Sequence, residues 1–429
     1  MKRSTKFLLS AASALLLLSG CGSDSDSGNV SSSEVIENIP DAVMLQVIQS
    51  QIDSNASIAF GYKAVKLTYT TTTPDGREVK ASGVLVIPIA NDAVKSQFPG
   101  GVYPISVVVD NHGTIFKDSD APSNMEVKDG MPNLPTAVLF TGYAGFATVM
   151  PDYLGYGASK GETHPYIMKY SAQASIDMLK AAEKYLKDNN YTVTNDVYIT
   201  GYSEGGYVAM EMAKEMQENN TSYTIKAAAP MAGPYDIEKL GVYDLNDSNK
   251  MVFPAFLADI ADSYSKIYNY DISKIVEKPE VFINYDLFGG DYDTVAIHYY
   301  LGLTDLAHGD YGFYTHYPHE LFQKAFLDDF ETNPDNMLRK KLSENTNYAW
   351  APKFPVNLIN CEDDEIIPYV IAQEANATMN AMGAPSVTLT GIPSSELPPA
   401  TQKSFLVHQR CGNPAYKAAV QFFYTIRGY

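Results

Sequence analysis

The chain has 429 residues, of which 50 are Asp or Glu and 31 are Lys or Arg, and its formal net charge at pH 7 is −19. This acidic balance argues against nucleic acid as a partner and against electrostatic docking on anionic lipid. A hydrophobic fraction of 45% is enough to build one large core.

The first twenty residues have the pattern of a bacterial lipoprotein signal peptide. Three cations precede an apolar run at residues 7–18, which is shorter than the roughly twenty residues that span a bilayer. The run ends in LSGC, which resembles a lipobox and implies cleavage before Cys21 and lipid attachment to its sulfur. We therefore expect a protein anchored in the cell envelope through Cys21, with residues 21–40 as a flexible tether. An ordinary secretory signal with an incidental cysteine is the alternative.

Strands and helices alternate through the first half of the chain. Residues 65–88 alternate apolar and polar side chains around Pro74-Asp75-Gly76, which predicts a β-hairpin. Further strands are predicted at 105–113, 145–157, 196–200 and 224–233, and helices at 171–190 and 206–219. This order predicts an α/β fold with a mostly parallel central sheet and helices on both faces.

A long insertion then interrupts the alternation. Between Asp236 and Trp350 lie 12 Tyr and 8 Phe, so 20 of 115 residues (17%) are Tyr or Phe, against 12% aromatic residues in the whole chain. The alternation resumes with a strand at 354–360, a helix at 368–382, a strand at 386–392 and a last helix at 414–427, with Asn413 as its N-cap. We expect a hydrolase-type core at 41–235 and 353–429, with residues 236–352 inserted as a helical cap or lid.

The pentapeptide Gly201-Tyr-Ser203-Glu-Gly205 follows a predicted strand and precedes a predicted helix. In that context a Gly-x-Ser-x-Gly turn exposes the serine hydroxyl as a nucleophile. Glycines at positions 201 and 205 are expected because side chains there would collide inside the tight turn. A strand-to-helix loop that merely contains a serine is the alternative.

A serine nucleophile needs a base and a group that orients the base. After the insertion, the strand at 354–360 ends in CEDDEIIP, and Asp364 is the favoured acid over Asp363 and Glu365. His408 is the only histidine after Asp364, so the chain order is Ser…Asp…His. The sequence predicts Ser203, His408 and Asp364 as a catalytic triad.

The oxyanion of the tetrahedral intermediate should be bound by two backbone N–H groups. One is expected from Glu204, directly after the serine. The other is expected from Thr114, in the loop NHGTIF that follows the SVVVD strand, where His112 and Gly113 precede Thr114. An ordinary turn at the strand end is the alternative for this loop.

Two cysteines other than Cys21 lie beside the predicted acid and base. Cys361 is three residues before Asp364, and Cys411 is three residues after His408. In an oxidising compartment such a pair is expected to form a disulfide, here joining the acid loop to the histidine loop. Four histidines fall inside the insertion without the spacing of a metal site, so no metal or other cofactor is expected.

These motifs together resemble those of the α/β-hydrolase superfamily over residues 60–429. The resemblance rests on HGT, GFATVMPDYLGYG, GYSEGG, DEIIP and His408 in that order. The N-terminal hairpin and the long insertion are similar to the secretory-lipase family, which includes Candida-type lipase A. At Cys361 the chain departs from the glycine that is common in the superfamily.

The resemblance implies hydrolysis of a carboxylic ester, either a small molecule or a lipid, by acyl transfer to water. Two other functions stay open on the sequence. One is a peptidase or amidase, for which Glu162 or Glu204 could bind a substrate amino group. The other is a surface binding protein that has kept the fold without its chemistry.

Overall fold

The computed structural model describes residues 27–125, 131–219, 221–303, 315–401 and 406–428. The predicted signal peptide and Cys21 lie outside the described residues. Within those ranges no helix is both long and apolar enough to cross a membrane.

The described residues contain one nine-stranded sheet. Its strands, numbered in chain order, are β1 (Val30–Ile39), β2 (Gly61–Thr72), β3 (Glu78–Ile89), β4 (Ile105–Asn111), β5 (Ala147–Pro151), β6 (Val193–Tyr202), β7 (Thr224–Met231), β10 (Val356–Cys361) and β11 (Val387–Ile392). The sheet order is β1-β2-β3-β5-β4-β6-β7-β10-β11. The pairs from β1 through β3 to β5 are antiparallel, and the pairs from β5 to β11 are parallel. A separate two-stranded ladder joins β8 (Met251–Val252) to β9 (Thr315–His316).

Helices cover both faces of the nine-stranded sheet, as the sequence predicts. The α-helices are α1 (Asp41–Gln51), α2 (Asp92–Lys95), α3 (Pro135–Ala137), α4 (Ala172–Asp188), α5 (Glu204–Glu218), α6 (Ile237–Asp244), α7 (Pro254–Tyr268), α8 (Pro279–Tyr285), α9 (Thr294–Leu301), α10 (Lys324–Thr332), α11 (Met337–Glu344), α12 (Tyr369–Ala381) and α13 (Val407–Arg427). A π-helical segment, Val138–Tyr143, extends α3.

The central strand β4 separates two hydrophobic clusters. All seven of its residues are buried, including the polar Ser106, Asp110 and Asn111, so neither face of the strand is exposed to solvent. Val107 and Val109 belong to the cluster that contains α4 and α5 side chains, whereas Val108 belongs to the cluster that contains α13 side chains. Successive side chains of a strand point to opposite faces, so one strand serves both layers.

The insertion forms its own helical layer with a third hydrophobic cluster. Helices α6 to α11 supply most of this cluster, and Phe116, Tyr166 and Tyr207 of the core join it. The insertion is therefore packed against the loop after β4 and against α5. Its role as a lid, and the domain boundaries at 235 and 352, stay predictions.

Two predicted boundaries are wrong. Residues 30–39 form strand β1 at the sheet edge instead of part of a flexible tether, and β1 pairs with β2. The strand was missed because most of its side chains are polar and exposed, while its pairing depends on backbone hydrogen bonds that the side-chain pattern does not reveal.

The last helix begins at Val407, seven residues before the predicted start at Pro414. Pro414 lies inside the helix, and Asn413 is therefore not its N-cap. His408 consequently lies in the first helical turn rather than in a loop. The earlier start depends on a carboxylate from another segment, described below, which the local sequence does not contain.

Candidate active site

Ser203 lies on a strained turn between β6 and α5. Its backbone has φ +60° and ψ −121°, a conformation that costs a non-glycine residue about 1–3 kcal/mol. The Ser203 N–H donates a hydrogen bond to the carbonyl of Met231 on the neighbouring strand β7, at 2.9 Å. The turn is thus held by the sheet, with the serine side chain at its tip.

The two glycines of the turn have no room for a side chain. A Cβ atom on Gly205 would lie 1.9 Å from the carbonyl oxygen of Asn111, and one on Gly201 would lie 2.2 Å from that of Gly205. Both neighbours are backbone atoms that cannot move aside. The close approach of β4 to the start of α5 therefore requires glycine at both positions.

Ser203, His408 and Asp364 form a continuous hydrogen-bonded chain. The imidazole Nε2 of His408 is 2.9 Å from the Ser203 Oγ, and its Nδ1 is 2.7 Å from the Asp364 Oδ2. The His408 and Asp364 side chains are 9% and 0% exposed. The other carboxylate oxygen of Asp364 accepts the N–H groups of Ile366 and Ile367 at 3.0 and 2.8 Å. Because an ionised carboxylate only accepts, Nδ1 carries the proton and Nε2 is free to accept the serine proton.

The three neighbouring carboxylates of the acid loop have different partners. Asp363 accepts the hydroxyl proton of Ser394 at 2.6 Å. Glu365 accepts the backbone N–H groups of Val407 and His408 at 2.8 and 3.1 Å, so it caps the N-terminus of α13 from outside the helix. Asp364 is the one whose side chain contacts the imidazole in this structure.

The structure contains the predicted disulfide. The sulfurs of Cys361 and Cys411 are 2.05 Å apart, and the bridge joins the end of β10 to the second turn of α13. It therefore links the segment that carries Asp364 to the helix that carries His408.

The loop predicted to supply an oxyanion donor lies against the serine turn. A Cβ on Gly113 would be 3.1 Å from the carbonyl oxygen of Tyr202 and 3.7 Å from the Ser203 Cβ. Thr114 and Ser203 line the same two cavities. Glu204 begins α5, so its N–H belongs to a helix N-terminus, where a developing negative charge is favoured.

Solved structures of similar fold include the rice cell wall degrading esterase LipA from Xanthomonas oryzae, at 24% identity and a TM-score of 0.75 over 92% of this chain and 98% of that chain. A putative hydrolase from Legionella pneumophila matches at 22% identity and 0.74 over 93% and 98%. Candida antarctica lipase A matches at 14% identity and 0.56 over 85% and 76%. This chain has the α/β-hydrolase fold. No protein-family model matches its sequence, and no curated protein sequence does.

Two cavities meet at Ser203. The first runs beneath the insertion and has mostly apolar walls, which include Ile237, Leu240, Leu257, Ile260, Phe322 and Leu342. Three acidic residues, Glu204, Asp244 and Glu365, also line it, and burial raises the pKa of Asp244 to about 7. The second cavity is more open and has polar and charged groups at its rim, among them Lys117, Asp120, Asp293, Thr294 and Gln409.

The two glutamates considered as anchors for an amino group have carboxylates that are paired with other side chains. Glu162 forms a bidentate pair with Arg77, with oxygen–nitrogen distances of 3.1 and 2.7 Å. The Glu204 Oε1 is 2.7 Å from the Nε2 of His164, a residue that was not among the predicted site residues. His164 is not part of any of the predicted motifs. Its partner lies 40 residues away in sequence, so the local sequence around either residue does not indicate the contact.

The histidines of the insertion that the structure describes have other partners. His316 contacts Glu320 at 3.1 Å, and His319 contacts Asp247 at 2.7 Å. The Nδ1 of His298 is 2.7 Å from the carbonyl of Thr294 within α9. Among the described residues, no group of three or more His, Cys, Asp or Glu side chains is arranged to hold a metal ion. His308 lies outside the described residues.

Proposed function

We propose that the protein is a serine hydrolase that cleaves carboxylic esters. The observation that carries this proposal is the hydrogen-bonded chain from a buried carboxylate, through one imidazole, to a serine hydroxyl on a strained turn. His408 would accept the Ser203 proton as the oxygen attacks the ester carbonyl. Asp364 would keep the imidazole oriented and stabilise its charged form.

The tetrahedral intermediate would place its oxyanion at the N–H groups of Glu204 and Thr114. As it collapses, the carbon–oxygen bond to the alcohol breaks, and the proton on His408 passes to the departing alcohol. Water then attacks the acyl-serine, giving its proton to His408, and the acid leaves as Ser203 recovers its proton. Loss of one oxyanion donor typically lowers kcat by about 10²–10³-fold.

The two cavities at Ser203 suggest how the ester is divided. The apolar cavity under the insertion suits the acyl group, because burying apolar surface there removes it from water. The open cavity with its charged rim suits a polar alcohol portion. The names of two similar structures, an esterase and a lipase, support an ester as substrate class.

Labelling with a fluorophosphonate, which modifies activated serines, tests the enzyme assignment. We expect the wild type to be labelled and Ser203→Ala to be unlabelled. Ser394→Ala is the control, because Ser394 is exposed and the hydrogen bond described for its side chain goes to the carboxylate of Asp363. An unlabelled wild type that is folded would leave the non-catalytic binding protein as the better explanation.

A substrate series tests the ester assignment. Rates on p-nitrophenyl esters from acetyl to palmitoyl would be compared with rates on aminoacyl-anilides. We expect turnover of the esters, with a chain-length preference set by the apolar cavity. Fast anilide turnover with slow ester turnover would replace the proposal by a peptidase.

We also propose that Cys21 carries a lipid that anchors the protein in the bacterial cell envelope. The support is the signal-peptide pattern that ends in LSGC. Metabolic labelling with a radioactive fatty acid should mark the wild type, which should sediment with membranes. Cys21→Ser should be unlabelled; equal labelling of both proteins would refute the anchor.

A further inference from the structure

A buried histidine outside the proposed triad contacts the residue that follows the nucleophile. The Nδ1 of His164 is 2.9 Å from the carbonyl oxygen of Leu154, and its Nε2 is 2.7 Å from the Glu204 Oε1. The side chains of His164 and Glu204 are 5% and 1% exposed. Each polar group of this contact is therefore shielded from water.

The two distances fix how many protons the pair holds. A carbonyl oxygen only accepts, so Nδ1 must carry a hydrogen that it donates to Leu154. The second contact also needs one hydrogen, either on Nε2 or on the carboxyl oxygen. The pair thus holds one proton more than a neutral imidazole beside an ionised carboxylate, and that proton lies between His164 and Glu204.

In the part of the chain that the structure describes, no other charged side chain is hydrogen-bonded to His164 or Glu204. The rings of Tyr153, Tyr156 and Tyr166 surround the imidazole, with centroid distances of 5.8, 5.2 and 5.9 Å. Asp259 is the nearby acid on α7; burial, together with the charges of Asp262 and Glu204, raises its pKa well above the usual range. Among the described residues, His164 is the side chain that the Glu204 carboxylate contacts at hydrogen-bond distance.

One of these aromatic rings, that of Tyr153, also contacts the loop that carries Thr114, the second predicted oxyanion donor. Tyr153 lies between two histidine rings, nearly parallel to that of His164 and 4.0 Å from that of His112. Its hydroxyl donates to the carbonyl oxygen of His112 at 2.9 Å. One stack therefore connects the start of α5 to the loop that carries Thr114.

We propose that His164 is a positioning residue for the oxyanion site. It shares a proton with the Glu204 carboxylate, and this contact holds the first residue of α5 so that its backbone N–H faces the developing oxyanion. The inference rests on the proposed function for its catalytic consequence, although the shared proton does not depend on any activity.

Nuclear magnetic resonance tests the shared proton directly. In protein labelled with ¹⁵N-histidine, we expect a strongly downfield hydrogen-bonded proton at the Nε2 of His164, protected from exchange by burial. Its absence from the spectrum of His164→Gln assigns the signal. A wild-type spectrum at pH 7 with no downfield proton that is lost in His164→Gln, whether bound to Nε2 or to the carboxyl oxygen, would overturn the inference.

Two variants separate the contacts of His164. Asparagine places its amide nitrogen near the Nδ1 position, so His164→Asn keeps the bond to Leu154 and loses the bond to Glu204. Glutamine places its nitrogen near the Nε2 position, so His164→Gln keeps the bond to Glu204. We expect kcat to fall about 10²-fold in His164→Asn but less than about tenfold in His164→Gln, with KM nearly unchanged in both.

The outcomes distinguish this inference from the proposed function. Equal kcat losses in the two variants, at equal melting temperatures, would mean that His164 only fills space and would refute its positioning role. If either variant fails to fold, Glu204→Gln replaces it: it keeps a hydrogen-bonding group but removes the charge, and we expect a loss of kcat with KM unchanged. Wild type that hydrolyses neither esters nor anilides refutes the proposed function and the catalytic role together, while the NMR signal still decides the shared proton.

Discussion

Glu365 caps the helix that carries the proposed base, His408. Its removal should lower turnover, although Glu365 is not itself a member of the proposed triad. Its two carboxylate oxygens accept the N–H groups of Val407 and His408, at 2.8 and 3.1 Å. The adjacent Asp364 binds the imidazole of the same residue, at 2.7 Å. One short loop therefore fixes both the backbone and the ring of His408. We consider the change Glu365→Ala.

The loss in stability follows from the contacts removed. Loss of an N-terminal cap costs about 0.5–2 kcal/mol, and a negative charge at a helix N-terminus contributes about 0.3–1 kcal/mol. We expect Glu365→Ala to lower the free energy of unfolding by about 2 kcal/mol. Glu365→Gln keeps one acceptor oxygen without the charge, so its loss should be about half as large.

The loss in turnover should be partial because other contacts still hold His408. The hydroxyl of Tyr202 donates to the His408 carbonyl at 2.6 Å, and the disulfide fixes Cys411 three residues further on. A displacement approaching 1 Å of a catalytic group costs about 10²-fold, so we expect kcat of Glu365→Ala to fall by about 10- to 100-fold. KM should change little, since the apolar cavity keeps most of its walls.

The assay is steady-state hydrolysis of a p-nitrophenyl ester alongside urea unfolding. Asp363→Ala is the matched control, because it removes a carboxylate from the same loop that contacts Ser394 instead of the helix. If Glu365→Ala and Asp363→Ala have the same kcat and the same unfolding midpoint, the capping argument is wrong.

Three other changes test separate parts of the structure. Replacing both Cys361 and Cys411 by alanine opens a loop of 50 residues, so the free energy of unfolding should fall by about 4 kcal/mol in calorimetry; an unchanged melting temperature would contradict this. Gly205→Ala would place a Cβ 1.9 Å from a backbone oxygen and should cost about 3 kcal/mol or more, whereas Gly412→Ala, with no atom within 4 Å, should cost little in the same assay. Burial raises the pKa of Asp110 from 3.8 to about 6, so the folded state binds this proton more tightly and loses that stability as the pH rises from about 4 through 6. As the pH rises across that range, the free energy of unfolding of Asp110→Asn should therefore increase relative to that of the wild type, by up to roughly 3 kcal/mol. A difference in unfolding free energy that does not vary with pH would refute the assignment.

Local pattern was sufficient wherever a segment's own side chains decide its structure. The buried strand β4, with its run of three valines, and the 3–4 spacing of α4 were predicted with boundaries close to those observed. The edge strand β1 and the early start of α13 were not, because backbone pairing and a cap from Glu365 come from segments distant in sequence.

The candidate site divides in the same way. The order of a serine turn, an acid after a strand and one late histidine was enough to select Ser203, Asp364 and His408, since each motif has a local signature. Only the geometry shows which of Asp363, Asp364 and Glu365 contacts the imidazole of His408. Adjacent carboxylates point in different directions and bind different partners.

The sequence by itself determined the alternation of strands and helices, the place of the insertion, and the residue types that acyl transfer requires. Only the tertiary structure decided which side chains meet. His164 reaches Glu204 across 40 residues, and the imidazole of His408 reaches Ser203 across 205. Such contacts depend on the packing of distant segments around a common sheet, and a linear pattern of side chains carries no record of that packing.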